Sequence, residues 1–155
     1  MLKLIRARRK NGEKGQALVE FTLLVPIFLL LLFAIVDFGM GFYSWITVTN
    51  SAREGARLGA VHAPLNVPSS PCYLKASLDQ CIEDRVRATA DRLDQSNMIV
   101  TITGEEGPPG DSVVVTVDYE YDLITPLAGI VSFVTGSNTF GSTLNLPSSA
   151  DMRLE

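Results

Sequence analysis

Histidine occurs once in the 155 residues, at His62, and cysteine only twice, at Cys72 and Cys81. A lone imidazole excludes paired-histidine metal sites, and any Ser-His or Cys-His catalytic pair would depend on that one residue at the end of an expected helix. Neither a nucleophile elbow nor a phosphate-cradling glycine loop occurs. Three carboxylates, Asp118, Glu120 and Asp122, fall on one face of an expected strand, but carboxylates on a regular strand do not by themselves wrap an ion, and a solvated face explains them. No catalytic residue, metal site or cofactor is therefore expected, and an interaction protein fits better than an enzyme. No internal repeat or low-complexity tract occurs. Charge, too, is missing where it matters: Phe21 to Val36 is a run of sixteen residues without a charged side chain.

The charges that are present divide sharply. Residues 1 to 15 hold Lys3, Arg6, Arg8, Arg9, Lys10 and Lys14 against Glu13 alone, a side-chain charge of +5, while the remainder carries −9. Basic residues flanking an apolar span stay on the cytoplasmic side, so the N-terminus is expected inside and the chain beyond about Tyr43 outside. A nucleic-acid-binding arm would also be basic, but the span begins only a few residues later, and no nucleic-acid partner is expected. Ala17 to Val36 rises about 30 Å as a helix, the hydrocarbon thickness of a bilayer. Pro26 should bend this helix, Asp37 is expected at the headgroup level where it limits the span, and Tyr43 and Trp45 fall where aromatic belts form. An ordinary secretory signal peptide fits less well, because the apolar segment is too long and no Ala-x-Ala site follows near Gly39 to Ser44.

The helix is expected to run out of the membrane until Pro64 stops it. Along it Ala52, Gly55, Ala56, Gly59 and Ala60 form a stripe of small side chains that lets another helix approach closely. Residues 63 to 71 are a loop of turn formers. Ser77-Leu78-Asp79-Gln80 has the form of a capping box opening a second helix, with Leu78, Ile82, Val86, Ala90 and Leu93 on its apolar face. Met98 to Thr103 is a β-branched run, and Val113 to Tyr121 alternates with period two, so the two are expected to pair as a hairpin. Leu123 to Val134 is apolar and could be a short helix over the sheet or an exposed contact surface. Thr139 to Leu146 is expected as a third, weaker strand.

The fold class is thus α+β: a long N-terminal transmembrane helix extending outside the membrane, then a small module of one amphipathic helix and a three-stranded, mostly antiparallel sheet. Both cysteines lie on the outer side, where the compartment would be oxidising. They can bridge, or remain two small buried thiols. On one continuous helix they would be about 13.5 Å apart along the axis, whereas bridged Cα atoms lie within about 7 Å, so a Cys72–Cys81 disulfide requires a break before Ser77.

Gly15-Gln16-Ala17-Leu18-Val19-Glu20-Phe21 places a glycine after the basic segment and a carboxylate at the edge of the span, where an isolated ionised group costs on the order of 3 kcal/mol. With Pro26, Asp37-Phe38-Gly39 and Ala52-Arg53-Glu54-Gly55-Ala56-Arg57, this resembles the TadE-like pseudopilins of tight-adherence, Flp-type pilus assembly, closely over residues 15 to 61. The resemblance implies a minor component of a type IV-like pilus system in the bacterial inner membrane, acting in pilus biogenesis, secretion or cell adhesion, with its C-terminal domain periplasmic or extracellular. It implies that a prepilin peptidase cuts between Gly15 and Gln16, and that Glu20, beside Phe21, serves as an assembly carboxylate toward the new amine of a neighbouring subunit. The implied partners are inner-membrane lipid, the peptidase, other pilin-like subunits and the assembly platform. The expected division is a cleaved leader at 1–15, a pilin-like helix at 16–62 and an extracytoplasmic domain at 63–155. An uncleaved bitopic anchor presenting a small periplasmic binding domain is the alternative.

Overall fold

The computed structural model describes residues 9–136 and 141–155. The chain folds as one long helix α1 (Arg9–Ala60), a helix α2 (Leu78–Thr89), a 3-10 turn at Gln95–Asn97, strands β1 (Met98–Thr103) and β2 (Ser112–Asp122), a short helix α3 (Leu127–Thr135) and strand β3 (Thr143–Arg153). The sheet is antiparallel throughout, with β2 between β1 and β3. This is an α+β chain: a long apolar helix followed by a helix and a three-stranded sheet.

Period-two alternation in β2 puts Val113, Val115, Val117, Tyr119 and Tyr121 on one buried face. That face packs on the C-terminal part of α1 and on α2. Val48, Ala52 and Ala56 of α1, Ile82 and Val86 of α2, and Val113, Val115 and Val117 of β2 are all completely buried. Burying a Val or Ile side chain is worth about 1.5–3 kcal/mol, so these few positions carry much of the module's stability. The apolar residues of α1 from Leu18 to Val36, by contrast, are mostly exposed, with none buried by the rest of the chain.

Helix α2 starts where its capping residues place it. The Ser77 hydroxyl accepts from the Gln80 amide at 3.1 Å, and Gln80 Oε1 accepts from the Ala76 amide at 3.2 Å, one residue earlier than the usual reciprocal bond. Cys72, on the incoming turn, and Cys81, in the first turns of α2, form a disulfide with Cα atoms 5.4 Å apart.

Two boundaries differ from the sequence-based expectation. Helix α1 ends at Ala60, before Pro64: His62 takes φ 42° and donates its amide to the Gly59 carbonyl at 3.0 Å, closing the helix in a turn. The third strand spans Thr143–Arg153 rather than Thr139–Leu146, residues 139 and 140 lying outside the described residues. Pro147 argues for a strand end, but β3 pairs only with β2, and a proline is tolerated in an edge strand because its missing donor need serve no second neighbour.

Candidate functional site

Gly15 to Phe21 lies within α1, on a surface with no tertiary neighbours. All seven residues are exposed, and a Cβ built on Gly15 would meet nothing within 4 Å. Glu20 accepts a hydrogen bond from Gln16 Nε2 at 3.2 Å, one helical turn away. The carboxylate therefore has a local neutral donor. Phe21, two-thirds exposed, stands at the start of the uncharged run.

A second polar group lies at the far end of that run. Asp37, expected at the headgroup level as the residue that limits the span, is 3% exposed and has partners far along the chain. Its Oδ1 accepts from the backbone amides of Ile124 at 3.0 Å and Thr125 at 3.1 Å, and its Oδ2 accepts from the Thr125 hydroxyl. One turn on, Gly41 leaves room for the Tyr121 ring, 3.5 Å from where a Cβ would stand. The Tyr121 hydroxyl points to the Asp37 carbonyl at 3.4 Å, and its pKa is raised, first by burial and then by the Asp37 charge. Asp37 thus fastens the apolar helix to the chain between β2 and α3. No local sequence pattern gives this away, because the partners are 87 and 88 residues distant.

The small-residue stripe is filled from within the chain. A Cβ on Gly55 would lie 2.5 Å from Val86 Cγ2, and one on Gly59 3.1 Å from both Ile82 Cδ1 and Val113 Cγ2. Ala52, Ala56 and Ala60 are buried in the same core. The helix that approaches this stripe is α2, alongside β2, so it offers no open face to another subunit.

Beside the stripe, Glu54 joins the two helices. It accepts from Arg57 Nε at 3.1 Å and from Arg85 Nε of α2 at 3.1 Å. These bonds hold its pKa well below the usual carboxylate range, at about 2, the Arg57 hydrogen bond contributing most and Arg85 next. Asp118, Glu120 and Asp122 lie on the outer face of β2, and among the described residues no group of acidic, His or Cys side chains is arranged to hold a metal.

The exposed apolar helix, the glycine and glutamate at its near end and the aspartate at its far end all belong to one segment. Residues 15–57 match the family of TadE-like proteins. No curated protein and no solved structure matches this chain. The TadE-like segment is just over a quarter of the sequence and begins at Gly15 itself. It associates the chain with tight-adherence pilus systems and, through one helix long and apolar enough to cross a bilayer, with a membrane. It takes in Asp37, Gly41 and Gly55, so this segment carries both the exposed apolar surface and the face on which the rest of the chain folds.

Proposed function

We propose that this chain is a minor pseudopilin of a tight-adherence pilus assembly system, anchored in the bacterial inner membrane with its N-terminus cytoplasmic and its folded module periplasmic or extracellular. A prepilin peptidase removes residues 1–15 by cutting between Gly15 and Gln16. The freed helix then packs against pilin-like subunits and the assembly platform through its apolar surface, and the chain acts by assembly rather than by catalysis.

The observation that carries this reading is the TadE-like match over residues 15–57, which starts at the proposed cut and covers an apolar helix surface left bare by the rest of the chain. Glu20 supplies the chemistry. In a low-dielectric bundle its carboxylate would meet the new α-amino group of a neighbouring Gln16, an attraction far stronger there than in water and able to offset the desolvation of both charges.

Replacing Gly15 by Arg tests the proposal in cells that assemble the pilus. A Cβ and a charge at the cut should block processing, leave the longer form in the membrane and abolish or reduce piliation. Normal pili with a chain of unchanged mobility would contradict it and favour the uncleaved anchor.

A further inference from the structure

The sequence from Leu123 to Ala150 contains no charged side chain, a run of twenty-eight residues in the part of the chain that otherwise reads as a soluble module. Within it, α3 has the sequence Leu-Ala-Gly-Ile-Val-Ser-Phe-Val-Thr. A helix apolar nearly all round is normally buried. This one is not: Phe133 is 88% exposed, and Ile124, just before the helix, is 62% exposed.

The position of α3 explains the exposure. Asp37 holds Ile124 and Thr125 at the end of the apolar stretch of α1, so α3 begins at that level. Ala128 and Leu123 share an apolar groove of about 500 Å³ with Ala34, Phe38 and Phe42 of α1 and Leu144 of β3. Phe38, Phe42 and Trp45 continue from there as a contiguous aromatic row, with ring centroids 6.4 and 5.7 Å apart. Trp45 at the end of this row, with Tyr43 near it in sequence, is of the type that gathers at the membrane–water boundary. At nine residues α3 extends about 13.5 Å, too short to cross a bilayer but suited to lying in its surface.

We propose that α3 lies in the headgroup layer of the membrane that α1 crosses, on the side of the folded module, as a second lipid contact, with Phe133 and Ile124 in the lipid. The occupant of this face is phospholipid because the face is continuous with the bare apolar surface of α1 and sits at the same depth as its aromatic row. The contact is neutral: no Lys or Arg lies on α3, so anionic lipid is not required. The inference rests on the reading of α1 as a membrane span. Asp37 is then a positioning residue, whose hydrogen bonds fix the depth and direction at which α3 meets the lipid.

The test uses the full chain in vesicles of neutral phosphatidylcholine, with the disulfide intact and one added, fluorophore-labelled cysteine: Phe133→Cys, Ile124→Cys, Leu24→Cys in the span, or Glu106→Cys on the loop near the Ala60 end of α1. All four positions are exposed, so the labels leave the core undisturbed. Spin-labelled lipid should remove most of the emission at Phe133, Ile124 and Leu24 and little at Glu106, with aqueous iodide giving the reverse. The inference is overturned if Phe133 and Ile124 follow Glu106 while Leu24 is quenched by lipid. It is equally overturned if they are shielded from both quenchers, which would mean that a second copy or another protein covers α3. If Leu24 also escapes the lipid quencher, the spanning reading falls with it.

Discussion

Asp37 and Thr125 are bound to each other twice: the carboxylate accepts both the backbone amide and the side-chain hydroxyl of the threonine. The pair joins the end of the apolar run in α1 to the entrance of α3. It lets one rigid helix serve as membrane segment and as scaffold, because the module is tied to a fixed height on it.

Removing the carboxylate should loosen that tie. Hydrogen bonds to a charged acceptor are worth about 1.5–3 kcal/mol each, and leaving buried donors unpaired adds to the loss. Asp37→Ala is expected to destabilise the chain on the order of 2–3 kcal/mol, with Asp37→Asn, which keeps an acceptor oxygen, in between. Hydrogen exchange should show the loss concentrated at residues 123–136 while α2 and β2 remain protected; uniform protection throughout would argue against the tie.

The close approach at Gly55 predicts a steric penalty. Gly55→Ala forces a methyl toward Val86 Cγ2 in a filled core and should cost about 1–3 kcal/mol in thermal or denaturant unfolding. Gly55→Ala with Val86→Ala should recover part of it. Gly39→Ala, whose Cβ meets nothing within 4 Å, should be neutral or stabilising by up to about 1 kcal/mol through helix propensity.

Glu54 makes stability depend on acid. Its folded pKa of about 2 lies below its ordinary value of 4.5, so its contribution is present above pH 4.5 and is lost as pH falls from there through about 2. The pair is partly exposed, and the effect should be about 1 kcal/mol or less. Asp79 works in the opposite sense, its pKa raised by burial and then by Glu105 and Glu106, so its protonation favours the fold. Comparing melting temperatures of the wild type and Glu54→Gln over this range isolates Glu54: the difference should shrink as pH falls, and a constant difference would rule out the linkage.

Reduction of the disulfide should lower stability without dismantling the core. Closing so short a loop is worth about 2–3 kcal/mol by chain entropy. Cys72→Ser with Cys81→Ser is expected to lower the unfolding free energy, measured by denaturant titration, by about that amount while leaving the sheet's circular dichroism unchanged.

What could be read in advance was what short-range chemistry dictates. Ser77 and Gln80 mark a helix start through bonds three or four residues long, and the β2 valines alternate because one face is buried. The apolar run of α1 needs no neighbour to be recognised. The tie made by Asp37 is not legible in the sequence because its partners come from a loop far along the chain, and the extent of β3 is not legible because Pro147 looks like a strand end until the edge position is known. The small-residue stripe announced a close neighbour but not which one, since glycine and alanine record proximity without naming the partner. Leu123 to Val134 is ambiguous in the sequence because its apolar composition suits a helix over the sheet and an exposed contact surface equally.

The central claim is that this chain works as a processed pilin-like subunit, and the mature N-terminus tests it most directly. The account predicts that intact mass and N-terminal sequencing of the membrane-extracted protein will find Gln16, or its cyclised form, as the first residue, and that Gly15→Arg will restore the longer chain. A membrane-embedded, functional protein that retains Gly15 and the residues before it would contradict the account.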